Sequence, residues 1–89
     1  MNLDKLKLFL RINIQTIYVM NETLDALQVR VVTKEKVKKD TIIKYSKRCL
    51  DEINEPQPNI IKLKGLVNKL EKLMGKQIPK DVINFDTLN

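Results

Sequence analysis

The chain has 89 residues, a net charge of +6 and 43% hydrophobic residues. These values are typical of one globular domain and argue against a disordered chain, which would hold fewer apolar residues. The chain has no His and a single Cys, which excludes a disulfide framework, a Cys/His zinc site and catalysis by a histidine base. Aromatic residues make up only 4% and Trp is absent, so the core must be aliphatic, as in packed helices.

Apolar residues recur at alternating intervals of three and four over the first third of the chain. This pattern is typical of a long helix that packs along its whole length against other helices, as in a coiled coil. It predicts a first helix over about residues 3–31, with no Pro or Gly to interrupt it. The members of this apolar stripe, in which Asn13 is the single polar residue, are Leu3, Leu6, Leu10, Asn13, Ile17, Met20, Leu24, Leu27 and Val31.

Two further helices are predicted. The second covers about residues 34–55 and stops before the Pro-Gln-Pro sequence that follows, since the residue before a proline disfavours helix. The third covers about residues 59–74, with Asn59 as its N-cap and Gly75 as the residue that ends it.

Residues 75–89 are expected to form an irregular tail or a short helix across the end of the bundle. The sequence therefore predicts an all-α fold with a single domain spanning residues 1–89. The expected architecture is a three-helix antiparallel bundle with a long, coiled-coil-like first helix and a short C-terminal tail.

The first helix is predicted to be much longer than the third, so part of its stripe would stay uncovered in a monomer. Homodimerisation, or another protein partner, would cover it. Asn13 has two interpretations: it fixes register and oligomeric state across a helix pair, or it marks an end of the bundle. The predicted protein interface consists of Leu3, Leu6, Leu10, Asn13, Ile17, Met20, Leu24 and Leu27.

Lysines form two groups that could contact an anion. The second-helix lysines (Lys34, Lys36, Lys38 and Lys39) would lie in the first turns of their helix, where its dipole disfavours cations. They either complete the end of the first helix or bind an external anion. The lysine ridge on the third helix (Lys62, Lys69, Lys72 and Lys76) either solvates the edge of the core or follows a line of phosphates. The richness in Ile, Lys and Asn also indicates an AT-rich genome, which by itself enriches Lys.

No catalytic, cofactor-binding or metal-binding residues can be assigned, and we expect no enzyme activity. Cys49 is expected to be an inert core thiol. The sequence favours a small, dimeric regulator or adaptor that acts through protein–protein contacts. The alternative is a basic accessory protein that binds nucleic-acid backbone with little sequence specificity. The N-terminus lacks the features of a signal peptide and no apolar run reaches membrane-spanning length, so we expect an intracellular, cytoplasmic protein.

Overall fold

A computed structural model describes residues 3–26 and 33–87 of the chain. Within these ranges the chain forms three α-helices and one short 3₁₀ helix, and it contains no strand. The all-α prediction is therefore confirmed. The elements are α1 (Asp4–Ala26), α2 (Thr33–Ile53), α3 (Ile60–Met74) and the 3₁₀ helix Phe85–Thr87.

The observed helices follow the predicted ones closely. Residues 4–26 of the first predicted helix are helical, and residues 27–31 lie outside the described residues. The second helix ends two residues before its predicted end. There the Glu55 N–H donates to the carbonyl of Glu52 at 3.2 Å, a bond across three residues that tightens the last turn before Pro56.

Both predicted caps of α3 are confirmed. Asn59 has an extended backbone (φ −81°, ψ 107°), and its side-chain oxygen accepts the Lys62 N–H at 3.1 Å. At the other end Gly75 adopts a left-handed conformation with φ 71°, and its N–H donates to the carbonyl of Glu71 at 2.9 Å. A polar cap and a glycine thus satisfy backbone groups that the helix itself leaves unpaired.

The core is an aliphatic cluster formed where α1 packs on α2 and α2 packs on α3. The tail closes one part of it: Ile78 and Ile83 are buried, and the Ile78 N–H donates to the carboxylate of Glu71 at 2.8 Å. The buried apolar residues are Leu3, Leu6, Leu10, Ile17, Ile42, Ile43, Cys49, Ile53, Leu63, Val67, Leu70, Ile78 and Ile83.

Helix α1 extends past α3. It has 23 residues against 15 in α3, a difference of about 12 Å at 1.5 Å per residue. Met74, the last residue of α3, contacts Asn13 in the middle of α1, where the Asn13 side-chain amide lies 3.6 Å from the Met74 sulfur. Beyond this contact Ile17 is still buried, whereas Tyr18, Val19 and Met20 are all exposed.

The two glycines of the chain offer a matched test of this helix assignment. Gly65 lies inside α3, and a Cβ built there meets no atom within 4 Å. We expect Gly65→Ala to raise the free energy of unfolding by about 1 kcal/mol, because alanine loses less backbone entropy in a helix. Gly75→Ala should lower it by about 1–2 kcal/mol, because an L-residue is strained at φ 71°. Urea unfolding measures both, and two changes of the same sign would contradict the assignment.

Candidate protein interface

The N-terminal half of the apolar stripe lies inside the fold. Leu3, Leu6, Leu10 and Ile17 are at most 8% exposed and belong to the core cluster shared with α2 and α3. These residues were predicted as parts of an interface, and the surface that they contact is provided by their own chain. They are therefore not available to a second molecule unless the bundle opens.

The remaining members of the stripe divide into three cases. Asn13 is half-buried against Met74 of α3, so its contact is within the chain. Met20 is 45% exposed. The side chain of Leu24 and the whole of Leu27 and Val31 lie outside what the structure describes.

A second apolar row runs along the opposite face of α1. We call Leu8, Ile12 and Val19 the outer row; their side chains are 60%, 56% and 48% exposed. Leu8 lies two positions from both Leu6 and Leu10, which are fully buried. Side chains two positions apart on an α-helix differ in direction by about 200°, so the outer row points away from the core.

The outer row borders a shallow groove of about 310 Å³ lined by Ile12, Gln15, Thr16, Val19 and Met20. Aliphatic groups dominate this surface, and its two polar members are uncharged. Contiguous exposed apolar surface of this kind is typical of binding sites, whereas isolated exposed apolar residues are ordinary.

Exposure of the outer row costs free energy in the isolated chain. Full burial of an aliphatic side chain of this size stabilises by about 1.5–3 kcal/mol. Each member of the outer row still exposes about half of its surface, so a partner that covered all three would recover roughly half of that amount for each. This row was not predicted from the sequence. Its members are nevertheless separated by four and seven positions, which places them on one face of a helix, different from the face of the apolar stripe.

The lysine ridge is partly engaged within the chain. The Lys62 ammonium lies 3.4 Å from the Glu52 carboxylate of α2, so the ridge is not free of acidic neighbours. The Lys69 ammonium lies 5.0 Å from the centre of the Tyr45 ring, in the range of a cation–π contact. The two remaining members, Lys72 and Lys76, are exposed on α3 and just after it.

Tyr45 carries a second cation on its ring. The Arg48 guanidinium lies 5.1 Å from the ring centre. The pKa of Tyr45 is lowered from its ordinary value, chiefly because the Lys69 ammonium donates a hydrogen bond to the phenol oxygen, with partial burial opposing and the nearby cations assisting. The aromatic ring therefore holds two basic side chains along the α2–α3 boundary.

The second-helix lysines are described in part. Lys38 is exposed and Lys39 is half-buried, and both line a groove with Ile42, Leu73 and Met74. The structure therefore brings them to the C-terminal end of α3. The side chains of Lys34 and Lys36 lie outside the described residues.

The turn between α2 and α3 depends on Glu52. Its side chain is only 10% exposed; its carboxylate accepts the Asn59 N–H at 2.8 Å and faces the Lys62 ammonium. The pKa of Glu52 is lowered, mainly by the hydrogen bond from Asn59, while burial acts in the opposite direction and Lys62 adds a smaller lowering effect. No sequence pattern distinguishes Glu52 from the exposed acids Asp51 and Glu55; only the packing does so.

Cys49 is fully buried, and the burial raises the pKa of its thiol to about 11. The thiol therefore stays protonated at neutral pH, when it is a poor nucleophile and metal ligand. The expected core position of Cys49 is confirmed.

The described ranges contain neither a metal-ligating cluster nor a membrane-spanning helix. Residues 3–26 and 33–87 hold no group of three or more His, Cys, Asp or Glu side chains that could share a metal ion. None of the helices described in those ranges is long and apolar enough to cross a membrane.

Comparison of the chain with protein-family models, with curated proteins and with solved structures gave no match. The surface of the molecule is therefore the basis on which a function can be proposed.

Glu52 provides a test of the α2–α3 turn. Because its pKa is lowered in the folded state, its charge contributes stability above the unfolded pKa, and this contribution disappears as the pH falls through the folded pKa. We expect Glu52→Gln to destabilise the protein at pH 7, with a difference from the wild type that shrinks in acid. Urea unfolding at neutral and acidic pH measures this. Glu55→Gln is the matched control, and an undiminished difference in acid would contradict the charge contribution.

Proposed function

We propose that this protein is a small, non-enzymatic helical interaction protein that acts as a regulator or adaptor through protein–protein contacts of α1. The observation that carries the proposal is the outer row, an aliphatic line on the side of α1 that faces away from its own core. An apolar contact is the kind of interaction that such a surface supports. The contact surface differs from the interface predicted from the sequence, because the N-terminal half of the stripe is occupied within the chain.

The proposal includes an antiparallel order of the three helices and a coiled-coil-like α1. Two contacts support this order for α2 and α3: Tyr45 is paired with Lys69, and the later α2 residue Glu52 is paired with the earlier α3 residue Lys62. Later residues of α2 thus contact earlier residues of α3, as expected for antiparallel helices. The 3–4 spacing of the buried residues of α1 supports the coiled-coil character.

A photo-crosslinking amino acid placed on the outer row tests the proposal. We expect a benzophenone side chain at position 12, in cells that make the protein, to form adducts with protein. The same group at Ile61 should form few, because Ile61 is a single apolar side chain on α3 that is 86% exposed. Val19→Glu should reduce the adducts at position 12. Adducts that contain only nucleic acid, or equal yields at both positions, would contradict the proposal.

The alternative function is binding of nucleic-acid backbone, and one observation favours it. Lys38 and Lys39 of α2 line a groove with Leu73 and Met74 at the C-terminal end of α3, and the exposed Lys72 and Lys76 belong to the same end of α3. Lysines from two helices thus gather at one end of the bundle. Such a surface would contact phosphates without reading bases.

Salt dependence tests this alternative. Binding of a generic DNA duplex through several lysines should weaken by orders of magnitude between about 50 and 200 mM salt, because counterions are released on binding. Lys72→Glu together with Lys76→Glu should abolish it. Lys64→Glu, at an exposed position elsewhere on α3, is the matched control and should cost much less. Duplex binding that ignores both salt and the double reversal would contradict a backbone contact.

A further inference from the structure

We infer that the partner of the outer row is a second copy of this chain, with the two α1 helices packed antiparallel about a two-fold axis. The inference rests on the protein-binding role proposed above and identifies the partner. Its basis is the arrangement of charge and apolar groups along one line of α1, which complements itself when the line is reversed.

That line contains six positions spaced by three and four: Lys5, Leu8, Ile12, Gln15, Val19 and Glu22. Three of these residues form the outer row, and the three polar ones, Lys5, Gln15 and Glu22, are also exposed. The 3–4 spacing keeps the six on one face of the helix, as a seam between two helices requires. A cation stands at one end of the seam and an anion at the other.

An antiparallel pair places each of these residues opposite a suitable partner. When the axis passes between residues 13 and 14, Leu8 lies opposite Val19 of the second copy, and Ile12 lies opposite Gln15 of the second copy. Lys5 lies opposite Glu22 of the second copy at both ends. The Leu8–Val19 and Ile12–Gln15 pairs, which carry no charge, are thereby enclosed between two pairs of opposite charge, which is the usual order of an uncharged centre and a charged rim.

A parallel pair would match like apolar residues but would lose the charge complementarity. Residues at the same position would meet, so Lys5 would face Lys5 and Glu22 would face Glu22, with like charges repelling. Gln15 would meet Gln15 in the middle of the apolar seam. The charge pattern therefore selects the antiparallel direction.

The flank of the seam agrees with this register. Arg11 lies one position before Ile12 and is exposed; in the antiparallel pair it approaches Tyr18 of the second copy. Tyr18 is 42% exposed, and the Lys47 ammonium is 5.6 Å from its ring centre and 3.1 Å from its hydroxyl. A guanidinium can pack on the free side of such a ring as a cation–π contact.

The fold leaves room for the second copy. The core side of α1 is already packed against α2 and touches α3 at Met74. The outer row faces the other way, so a second α1 can lie along it without displacing any of these contacts. With three aliphatic residues from each chain, the seam is smaller than a standard protein interface, and we expect a dissociation constant of about 10–100 µM.

Sedimentation equilibrium of the full chain tests the seam. We expect the wild type to dimerise, and Ile12→Glu to raise the dissociation constant at least about tenfold, because it buries an unpaired charge at the centre of the seam. Ile61→Glu, which changes an exposed isoleucine on α3, is the matched control and should dimerise like the wild type. Far-UV circular dichroism confirms that each variant keeps its helices.

Charge reversal tests the direction of the pair. Lys5 and Glu22 are 17 positions apart on one straight helix, about 25 Å, and cannot contact each other within one chain. Lys5→Glu and Glu22→Lys should each weaken the dimer by about two- to tenfold, and the double variant should restore it. Lys5→Glu also places an anion in the first turn of α1, which favours the helix, and far-UV circular dichroism checks that each charge variant keeps its fold.

The outcomes separate this inference from the proposed function. A wild type that stays monomeric up to about 1 mM, about ten times the upper end of the expected range of dissociation constants, overturns the dimer, as does a dimer that Ile12→Glu leaves intact. A double charge variant that dimerises no better than the single ones overturns the antiparallel direction. Crosslinks from position 12 to a different protein would leave the protein-binding role standing while removing the second copy as partner. Absence of all protein adducts would remove the role itself.

Discussion

A helix can present only one face to the core of a small bundle, and α1 carries aliphatic residues on two. The face that contains Leu6 and Leu10 is fully buried against the rest of the chain, and the face that contains Leu8 and Ile12 is more than half exposed. No rotation of α1 could bury both, because residues two positions apart point in nearly opposite directions. The fold therefore leaves an aliphatic surface exposed to water, and the proposed protein contact is assigned to that surface.

The unequal lengths of the helices leave a member of the core-facing stripe exposed as well, at Met20. Helix α3 ends at Met74, which meets α1 near its middle at Asn13. The later part of α1 then has α2 as its described neighbour, with Lys47 of α2 bonded to the Tyr18 hydroxyl. Asn13 occupies the point where cover by α3 stops, and this explains why a polar residue is tolerated in an otherwise apolar stripe.

Some of the lysines that make up the positive net charge form contacts within the chain. Lys62 and Lys69 hold α3 against α2 through Glu52 and Tyr45. These contacts leave fewer lysines available for an external anion than the count of lysines implies. The exposed lysines near the C-terminal end of α3 are the ones whose position still fits a phosphate contact.

Local sequence patterns suffice to predict the three described α-helices, their approximate bounds and the ends of α3. These features depend on local physics: the 3–4 spacing of apolar residues, an Asn that caps, a Gly that can adopt φ 71° and prolines that stop a helix. The buried position of Cys49 was also predicted correctly.

Which apolar residues of α1 face outward, and which charges are engaged, depends instead on how the helices pack together. Both Leu6 and Leu8 are leucines on one helix, and spacing alone cannot show which of two apolar faces will meet the other helices. Likewise Glu52 lies between the exposed acids Asp51 and Glu55, and its burial depends on how α3 returns across the turn to bring Asn59 and Lys62 to it. Contacts between residues distant in sequence are set by packing of the whole bundle, so local patterns could not reveal them.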